Sequence, residues 1–431
     1  MNGAKQFLKK LLPNKIRQPV LNVYHLLVAI AANIRYQFPA RSAKVIMITG
    51  TNGKTSTATL IAAILEHAGY KVGINSTAYY RITGSKPVNK KSGRTVEDVF
   101  ALHALFNKMR RAGCEYIILE ATSQALDQHR LWGVPCHIAV MTNLTQDHLD
   151  YHGSMKRYAA AKFKLFKRRP PFIILNADDE WYAYFNKAEA GAAKFSYGMG
   201  KEANVQIANI NARRDGSDFT LKVDGQSIRI RTKLVGEFNV YNAAAAALAG
   251  YVEGLAPDQI ANGIASVQAV PGRMERVDAG QPFEVIVDYA HTPDALKNVL
   301  TAARHITKGK LMVVFGATGN RDRTKRPIMG KVAAELADRI FLTDDETYTE
   351  DPASIRKAVM KGIIEADGED KTTEVDDRRD AFAAAFKEAK RGDTVVLAGM
   401  GHETTRNMGG KPIPWNDTEV AIELLHQAKK Q

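Results

Sequence analysis

The chain has 431 residues, of which 45% are hydrophobic and 25% charged, the profile of a soluble globular protein of two or three domains. Its two cysteines, Cys114 and Cys136, form no CxxC pair, which argues against a disulfide framework or a structural zinc site and fits a reducing compartment. A net charge of +14 favours anionic partners: nucleotides, nucleic acid or an acidic membrane face.

Much of that charge lies at the front. Residues 1–44 carry Lys5, Lys9, Lys10, Lys15, Arg17, Arg35, Arg41 and Lys44 and no acid. Between them runs an apolar stretch, Val20 to Ala32, short of the ~20 residues a membrane span needs. A basic start before a short apolar run also has the look of an export signal, a reading that the phosphate-loop pattern of the next stretch argues against. Two readings stand: a helix packed on the body, or one lying on an anionic membrane surface.

The next stretch, VIMITGTNGKTS at 45–56, organises the chain. Val45 to Ile48 form a buried parallel strand, Gly50 to Lys54 a tight turn, and Thr55 opens a helix that stops at Gly69. This is the context of a phosphate-binding loop, built here from Gly50, Thr51, Asn52, Gly53, Lys54, Thr55 and Ser56. Backbone N–H groups surround the phosphates, Lys54 neutralises charge and the Thr55 hydroxyl can hold Mg²⁺. The usual glycine five residues before Gly53 is replaced by Ile48.

From Lys44 to about Val270 apolar strands recur at 116–119, 137–141 and 172–175, with helical stretches such as 96–112 between them. The pattern predicts an α/β domain, a mostly parallel sheet with helices on both faces. Residues 203–235 read as an antiparallel hairpin around Asp224-Gly225. A second α/β unit, Rossmann-like, begins near Pro271, with strands at 284–288, 311–315, 339–343 and 394–398. The expected segments are 1–43, 44–269 and 270–431.

Glu120 ends the strand YIILE, on the edge where open α/β sheets bind ligands, within reach of a nucleotide's Mg²⁺. The next strand runs into TNLTQDHLDYHG, where Asp147, His148, Asp150 and His152 have the look of metal ligands. A zinc hydrolase is set aside because the phosphate loop already accounts for a divalent ion. On the following helix Lys162 shares a face with Tyr158, Leu165 and Phe166. Spacing leaves it either snorkelling or functional; desolvation would favour a neutral amine, which can take up CO₂ as a carbamate.

The ordered motifs TGTNGKTS, LEATSQALDQHR, TNLTQDHLDYHG, YAAAKFKLF, NADDE, GEFNVYN, VPGRMERV, VDYAHTPDAL, GNRDRTKRPIMG and GMGHE span Lys44 to about Asp417. Together they resemble the Mur ligase family, in its branch that adds the third, diamino residue to a UDP-N-acetylmuramoyl peptide. The resemblance implies an ATP- and Mg²⁺-dependent, ADP-forming ligase of peptidoglycan synthesis, cytoplasmic and monomeric, with small-molecule substrates and no nucleic acid. It assigns phosphate binding to Lys54, metal binding to Thr55, Glu120, His148 and a carbamylated Lys162, an adenine contact to Asn242, and ATP contacts to Arg273 and Asp288. Thr95, Thr122, Gln128 and Arg130 would hold the muramoyl-peptide acceptor; Arg321, Gly399 and Glu403 the incoming amino acid. The implied chemistry is attack of a carboxylate on the γ-phosphorus, then attack of an amine on the acyl phosphate.

The chain departs from the pattern in three places. The segment before Lys44 does not match the family's uridine-binding domain, so weak dependence on the UDP portion and a lipid or partner contact through residues 1–44 are expected. Only Thr95 of a paired threonine remains, beside Arg94. Where relatives selecting diaminopimelate carry Asp-Asn-Pro-Arg, this chain aligns Asp345, Glu346, Thr347 and Tyr348. A tyrosine lacks the charged fork a carboxylate prefers, and Asp344, Asp345 and Glu346 would attract an ammonium. A lysine-like amino acid is therefore expected in place of diaminopimelate. Alternatives are a Mur-like ligase for another carboxylate, folate or a different cell-wall peptide, and a phosphate-loop ATPase acting on nucleic acid or membrane.

Overall fold

The computed structural model describes residues 14–90 and 98–428, with side chains from Pro19 onward. Arg94 and Thr95 therefore lie outside the described residues.

Helix α1, Asn14–Arg35, carries the apolar front stretch and continues past it at both ends. Its inner residues Ala29 and Ala32 pack on Val99 at the start of α3. Strand β1, Lys44–Thr49, is followed by the glycine turn and by α2, Lys54–His67. Then come β2 (Val72–Asn75), β3 (Tyr79–Ile82), β4 (Val88–Asn89), α3 (Val99–Arg111), β5 (Tyr116–Glu120) and the short α4 (Ser123–Asp127). Strand β6 (Ile138–Met141), α5 (Met155–Phe166), β7 (Phe172–Asn176) and β8 (Ala193–Gly198) continue the parallel pattern. Three further strands, β9 (Val205–Arg213), β10 (Gly216–Val223) and β11 (Gln226–Thr232), precede α6 (Glu237–Val252) and α7 (Pro257–Ser266).

These strands form one eleven-stranded sheet, in the order β11-β10-β9-β8-β7-β6-β1-β5-β2-β3-β4. The expected hairpin at 203–235 is a three-stranded meander: its β10–β11 arm turns at Asp224-Gly225 as read, and β9 adds a third strand joined in parallel to β8. The alternation of β9 was obscured by its polar NINAR end, which is partly exposed. Strand β1 lies centrally, with Ile48 opposite Glu120 on β5 and Val140 on β6. Both neighbours thus deliver their C-terminal ends to the glycine turn, the position where parallel sheets bind ligands.

Alternate residues of β1 feed two cores: Ile46 and Ile48 face α2 and α6, while Val45 and Met47 face the side of α3 and α5. The alanine run Ala243 to Ala247 on α6 is fully buried, so α6 approaches α2 closely. A Cβ on Gly263 would come within 2.5 Å of the Ile64 backbone, which explains that glycine on α7.

The second sheet has six strands, in the order β12-β13-β17-β14-β15-β16. They are β12 (Glu275–Arg276), β13 (Glu284–Asp288), β14 (Leu311–Phe315), β15 (Arg339–Leu342), β16 (Thr372–Glu374) and β17 (Thr394–Ala398). Helices α8 (Pro293–Ile306), α9 (Lys325–Leu336), α10 (Pro352–Ile364) and α11 (Arg378–Glu388) cover its faces. A small hairpin, β18 (Thr405–Met408) and β19 (Lys411–Pro414), precedes α12, Asp417–Ala428.

Candidate active site

A single cleft of about 1780 Å³ runs from the glycine turn to the second sheet, lined by both halves of the chain. At its base the turn is fixed by close contacts. Gly50 has φ +151, and a Cβ there would stand 1.8 Å from Thr142 Oγ1; Gly53 has φ +82, and a Cβ there would meet Asn242 Oδ1 at 2.2 Å. Only glycine fits both places. The missing glycine at 48 matters little, since Ile48 is an ordinary strand residue.

Two lysines converge on this turn. Lys54 Nζ donates to Gly50 O (3.0 Å) and Thr51 O (2.7 Å), and Lys162 Nζ donates to the same Gly50 oxygen at 2.7 Å. Lys162 is 1% exposed and lies 4.6 Å from the centroid of the Tyr158 ring. Burial first, then the charge of Lys54, holds its pKa well below the usual lysine value; Lys54 is also lowered, chiefly by burial. Two ammonium groups on one carbonyl repel each other, so the neutral form of Lys162 is favoured. Snorkelling is ruled out by position: the amine points into the molecule.

The expected Mg²⁺ ligands fall in two groups. Glu120, fully buried, accepts from the Thr55 hydroxyl (2.8 Å), the Thr77 N–H (2.9 Å) and the Thr77 hydroxyl (2.7 Å). His148 lies beside Tyr158 on the Lys162 side, with ring centroids 6.1 Å apart, and desolvation lowers its pKa to about 4. Among the described residues no group of three or more His, Cys, Asp or Glu side chains is placed to hold a metal. The hydroxyl and carboxylate of Thr55 and Glu120 fit Mg²⁺, which takes one or two protein oxygens and completes its shell with phosphate and water. Of the four residues with the look of metal ligands, His152 Nε2 pairs with Ser123 Oγ at 2.9 Å, while Asp147 lies 3.5 Å from His148 Nε2 and 3.4 Å from Lys325 at the start of α9.

Asn242 lines the cleft and stands against the glycine turn. Its Nδ2 donates to Asn239 Oδ1 (3.0 Å), its Oδ1 accepts from Thr57 (3.3 Å), and it backs onto Gly53. It is placed to hold the loop from the cleft wall.

The second half of the chain reaches the loop directly. Arg273 Nη2 lies 3.4 Å from Thr55 Oγ1, and its guanidinium stacks 4.6 Å from the Tyr289 ring. Asp288, at the end of β13, accepts from the Met274 N–H at 2.7 Å, which fixes the Arg273 turn; burial raises its pKa. Three contacts that sequence reasoning missed close the cleft. Asn52 Nδ2 donates to Asp294 Oδ2 (2.7 Å), Gln146 Nε2 to Thr324 Oγ1 (2.8 Å), and buried Lys325 lies 3.4 Å from Asp147. Burial alone would raise Asp147, but His148, Lys325 and His291 hold it well below the usual carboxylate range. A signal existed: Asn52, Gln146, Asp294 and Lys325 all lie within the quoted motifs, but no spacing pairs them across the chain.

At the far end Asp345, Glu346, Tyr348, Gly399, Glu403 and Arg321 line the cleft. Glu403 accepts from Tyr289 OH at 3.2 Å, and burial, reinforced by Glu346 and Asp345, pushes its pKa up to about 7. Glu346 is raised by burial and by Asp345. Gly399 has φ +117 and its Cα packs against Asp345, whose Oδ2 would be 2.8 Å from a Cβ. Tyr348 sits at φ +49, a strained setting for a bulky residue, held by its N–H to Asn407 O at 2.9 Å. Its hydroxyl lies 3.3 Å from Glu346 and 3.4 Å from Arg321. Asp344 is removed from the expected acidic group, because Arg356 pairs with it away from the cleft.

Thr122, Gln128 and Arg130 line a third region, beside Leu21 and His25 of α1. Thr122 caps α4, and Gln128 Nε2 donates to Tyr151 OH at 3.0 Å while its Oε1, buried, has no partner. The involvement of α1 was invisible in the sequence.

Residues 48–250 match the Mur ligase middle domain, and residues 272–401 match the Mur ligase glutamate ligase domain. The UDP-N-acetylmuramoyl-L-alanyl-D-glutamate–2,6-diaminopimelate ligase of Solibacter usitatus is 43% identical over 403 residues, 92% of this chain and 80% of that protein. The ligase of the same name from Aquifex aeolicus is 41% identical, over 90% of this chain and 78% of its own. A solved structure of a ligase so named aligns with TM-score 0.61 and 32% identity, covering 90% of this chain and 79% of that one. The folylpolyglutamate synthase of Mycobacterium tuberculosis, solved with ADP, shares the fold at TM-score 0.71 and 20% identity. The chain belongs to the Mur ligase family of ATP- and Mg²⁺-dependent, ADP-forming acid–amino-acid ligases.

Proposed function

We propose that this ligase extends a muramoyl-peptide acceptor of peptidoglycan synthesis at a free carboxylate, and that the amino acid it adds carries a cationic side chain, lysine or ornithine. The acceptor follows from the relatives, whose names specify a UDP-N-acetylmuramoyl dipeptide. The choice of amino acid rests on one observation: Asp345, Glu346 and Glu403 form an acidic end to the cleft, and a tyrosine stands at 348. An ammonium relieves the repulsion among these acids. A second carboxylate, as in the diaminopimelate of the relatives' names, would add to it and would depend on Arg321, beside Tyr348, to offset it.

The reaction follows from the charges. The acceptor carboxylate attacks the γ-phosphorus, the bond to the β-phosphate oxygen breaks, and ADP leaves. Lys54 and Arg273 neutralise the oxygens that gain charge. Mg²⁺, held by Thr55 and Glu120, would supply further charge neutralisation on the phosphates. The amine then attacks the acyl carbon, phosphate leaves, and the nitrogen gives up a proton. The contacts Asn52–Asp294, Gln146–Thr324 and Asp147–Lys325 hold the two halves together and keep water from the acyl phosphate. Neutral Lys162 takes up CO₂, releasing one proton, and the resulting carbamate offsets Lys54 at Gly50. His148 stands beside it, and Thr122, Gln128 and Arg130 present the acceptor; the buried unpaired Gln128 Oε1 suits a peptide N–H.

The test is competition. With ATP and a muramoyl dipeptide, lysine and diaminopimelate are offered together and the products counted. Lysine should win by about ten- to a hundredfold, the value of one charge-assisted pair of ~1.5–3 kcal/mol. A preference for diaminopimelate would show that Arg321 holds the distal carboxylate and that the acidic end has been misread. Phosphate release that needs neither acceptor nor amino acid would overturn the ligase reading itself.

A further inference from the structure

Helix α1 has two faces with different fates. The inner face is buried: Leu21 and His25 line the acceptor end of the cleft, and Ala29, Ala32 and Asn33 pack on the body. Asn33 Nδ2 donates to Trp132 O at 2.7 Å, which ties the helix to the loop that follows Arg130. At 100° per residue, Val20, Val23, Leu27, Ile30, Ala31 and Ile34 occupy about 100° of the opposite side, and none of them is polar. Val23, Leu27 and Ile34 are 58%, 60% and 64% exposed. A continuous apolar stripe on an outer helix face marks a contact surface. Trp132, 38% exposed and packed near Phe38, stands at the C-terminal end of the helix, where Asn33 bonds its carbonyl. Tryptophan favours the boundary between water and lipid headgroups.

Charge decides what the stripe meets. Residues 1–44 hold eight basic groups and no acid. Two copies of the chain meeting through this face would bring like charges together, whereas anionic lipid neutralises them. We propose that the outer face of α1 docks on an anionic lipid bilayer, with Val23, Leu27 and Ile34 in the headgroup region and Arg35, exposed beside Ile34, on lipid phosphate. No helix among the described residues is long and apolar enough to cross a membrane, so the contact is interfacial. Since the inner face of the same helix lines the acceptor end of the cleft, docking sets that end against the bilayer surface. The inference is independent of which amino acid is added.

Flotation of the full chain tests it, with vesicles of phosphatidylglycerol and phosphatidylethanolamine in equal parts and vesicles of phosphatidylcholine alone. The full chain should float with the anionic vesicles at low salt, remain behind with the neutral ones, and be released as salt is raised. The triple variant Val23→Ser, Leu27→Ser, Ile34→Ser alters only exposed positions and should keep its ATP turnover in solution. Its vesicle affinity should fall about tenfold or more. Failure of the full chain to float, equal flotation of the variant, or equal binding to phosphatidylcholine would overturn the proposal. So would a concentration-dependent dimer that the same substitutions dissolve, which would assign the stripe to a second copy.

Discussion

Glu403 gives the acidic end of the cleft, the proposed amino-acid site, a pH dependence with a definite sign. Burial and the charges of Glu346 and Asp345 push its carboxyl up to about 7, so it is half protonated near neutrality. A cationic side chain pairs only with the ionised form. Its KM should then follow the ionised fraction: near its floor at about pH 8, roughly tenfold higher at about pH 6 and roughly a hundredfold higher at about pH 5. Stability runs the other way in the empty enzyme. A carboxyl whose pKa is raised on folding contributes stability that is present below its unfolded value and lost as pH rises through about 7. Lysine should therefore protect against thermal unfolding more at about pH 8 than at about pH 6. Initial rates of phosphate release, with ATP and acceptor saturating, measure the KM. The attacking amine must also lose a proton, but that requirement is common to wild type and Glu403→Gln, so the ratio of the two profiles isolates Glu403. The variant should bind lysine weakly and lack the Glu403 acid limb, so the ratio of its KM to that of wild type should fall as pH drops below neutrality. An identical acid slope in Glu403→Gln, or a wild-type KM that does not move below pH 7, would refute the reasoning.

Three further outcomes are expected. Lys162→Ala should keep its fold and lose most ligase turnover, with partial recovery in bicarbonate plus a short carboxylic acid; full activity in the variant would end the carbamate reading. Gly53→Ala places a Cβ 2.2 Å from Asn242 Oδ1 at φ +82. The strain of ~1–3 kcal/mol should weaken nucleotide binding about tenfold or more in a fluorescent-nucleotide titration, and wild-type affinity would show that the loop adapts. Arg378→Met leaves Asp417 buried without the partner that now holds it by two hydrogen bonds of 2.9 and 2.6 Å. Urea unfolding should report a loss of about 3–5 kcal/mol, and a change below about 1 kcal/mol would show that Trp415 Nε1 satisfies the carboxylate alone.

The parallel core was legible because continuous runs such as YIILE and LMVVF are buried on both faces and bounded by glycine or charged turns. The hydrogen bonds of α/β sheets follow from such runs, and the strand ends read from sequence fall within a residue or so of those observed. The loop residues were legible for a different reason: glycine, lysine and threonine at that spacing serve little but phosphate. What could not be read was pairing between distant segments. A motif marks Asn242 as a residue that matters but does not encode its bonds to Asn239 and Thr57. Asp344 was counted with the acidic end because three consecutive acids do not reveal that one is turned to Arg356. The part played by α1 in the cleft depends on a helix packing against a loop about a hundred residues away, which no local periodicity encodes.

The charges along the cleft explain how one site handles reactants that repel each other. Lys54, Arg273 and Lys325 stand at the glycine-turn end, where the proposed function places ATP and the acceptor carboxylate. Asp345, Glu346 and Glu403 stand at the other end, where the proposed function brings in the amine-bearing reactant. An amino acid with a positive group at each end would be drawn to the acidic end by one of them and left with the other facing the acyl phosphate. The polarity orients the substrate before chemistry begins. It also accounts for the tyrosine at 348: an arginine there would pair with Glu346 and cancel the gradient that the acids create. Tyr348 instead accepts a strained backbone and lies against Arg321, leaving the acidic end open to an ammonium. Tyr348→Arg should therefore lower the preference for lysine over diaminopimelate by about tenfold or more in the competition assay, by supplying the fork a second carboxylate needs. An unchanged ratio would mean that the selectivity is set elsewhere along the cleft and that the gradient at Tyr348 plays no part in it.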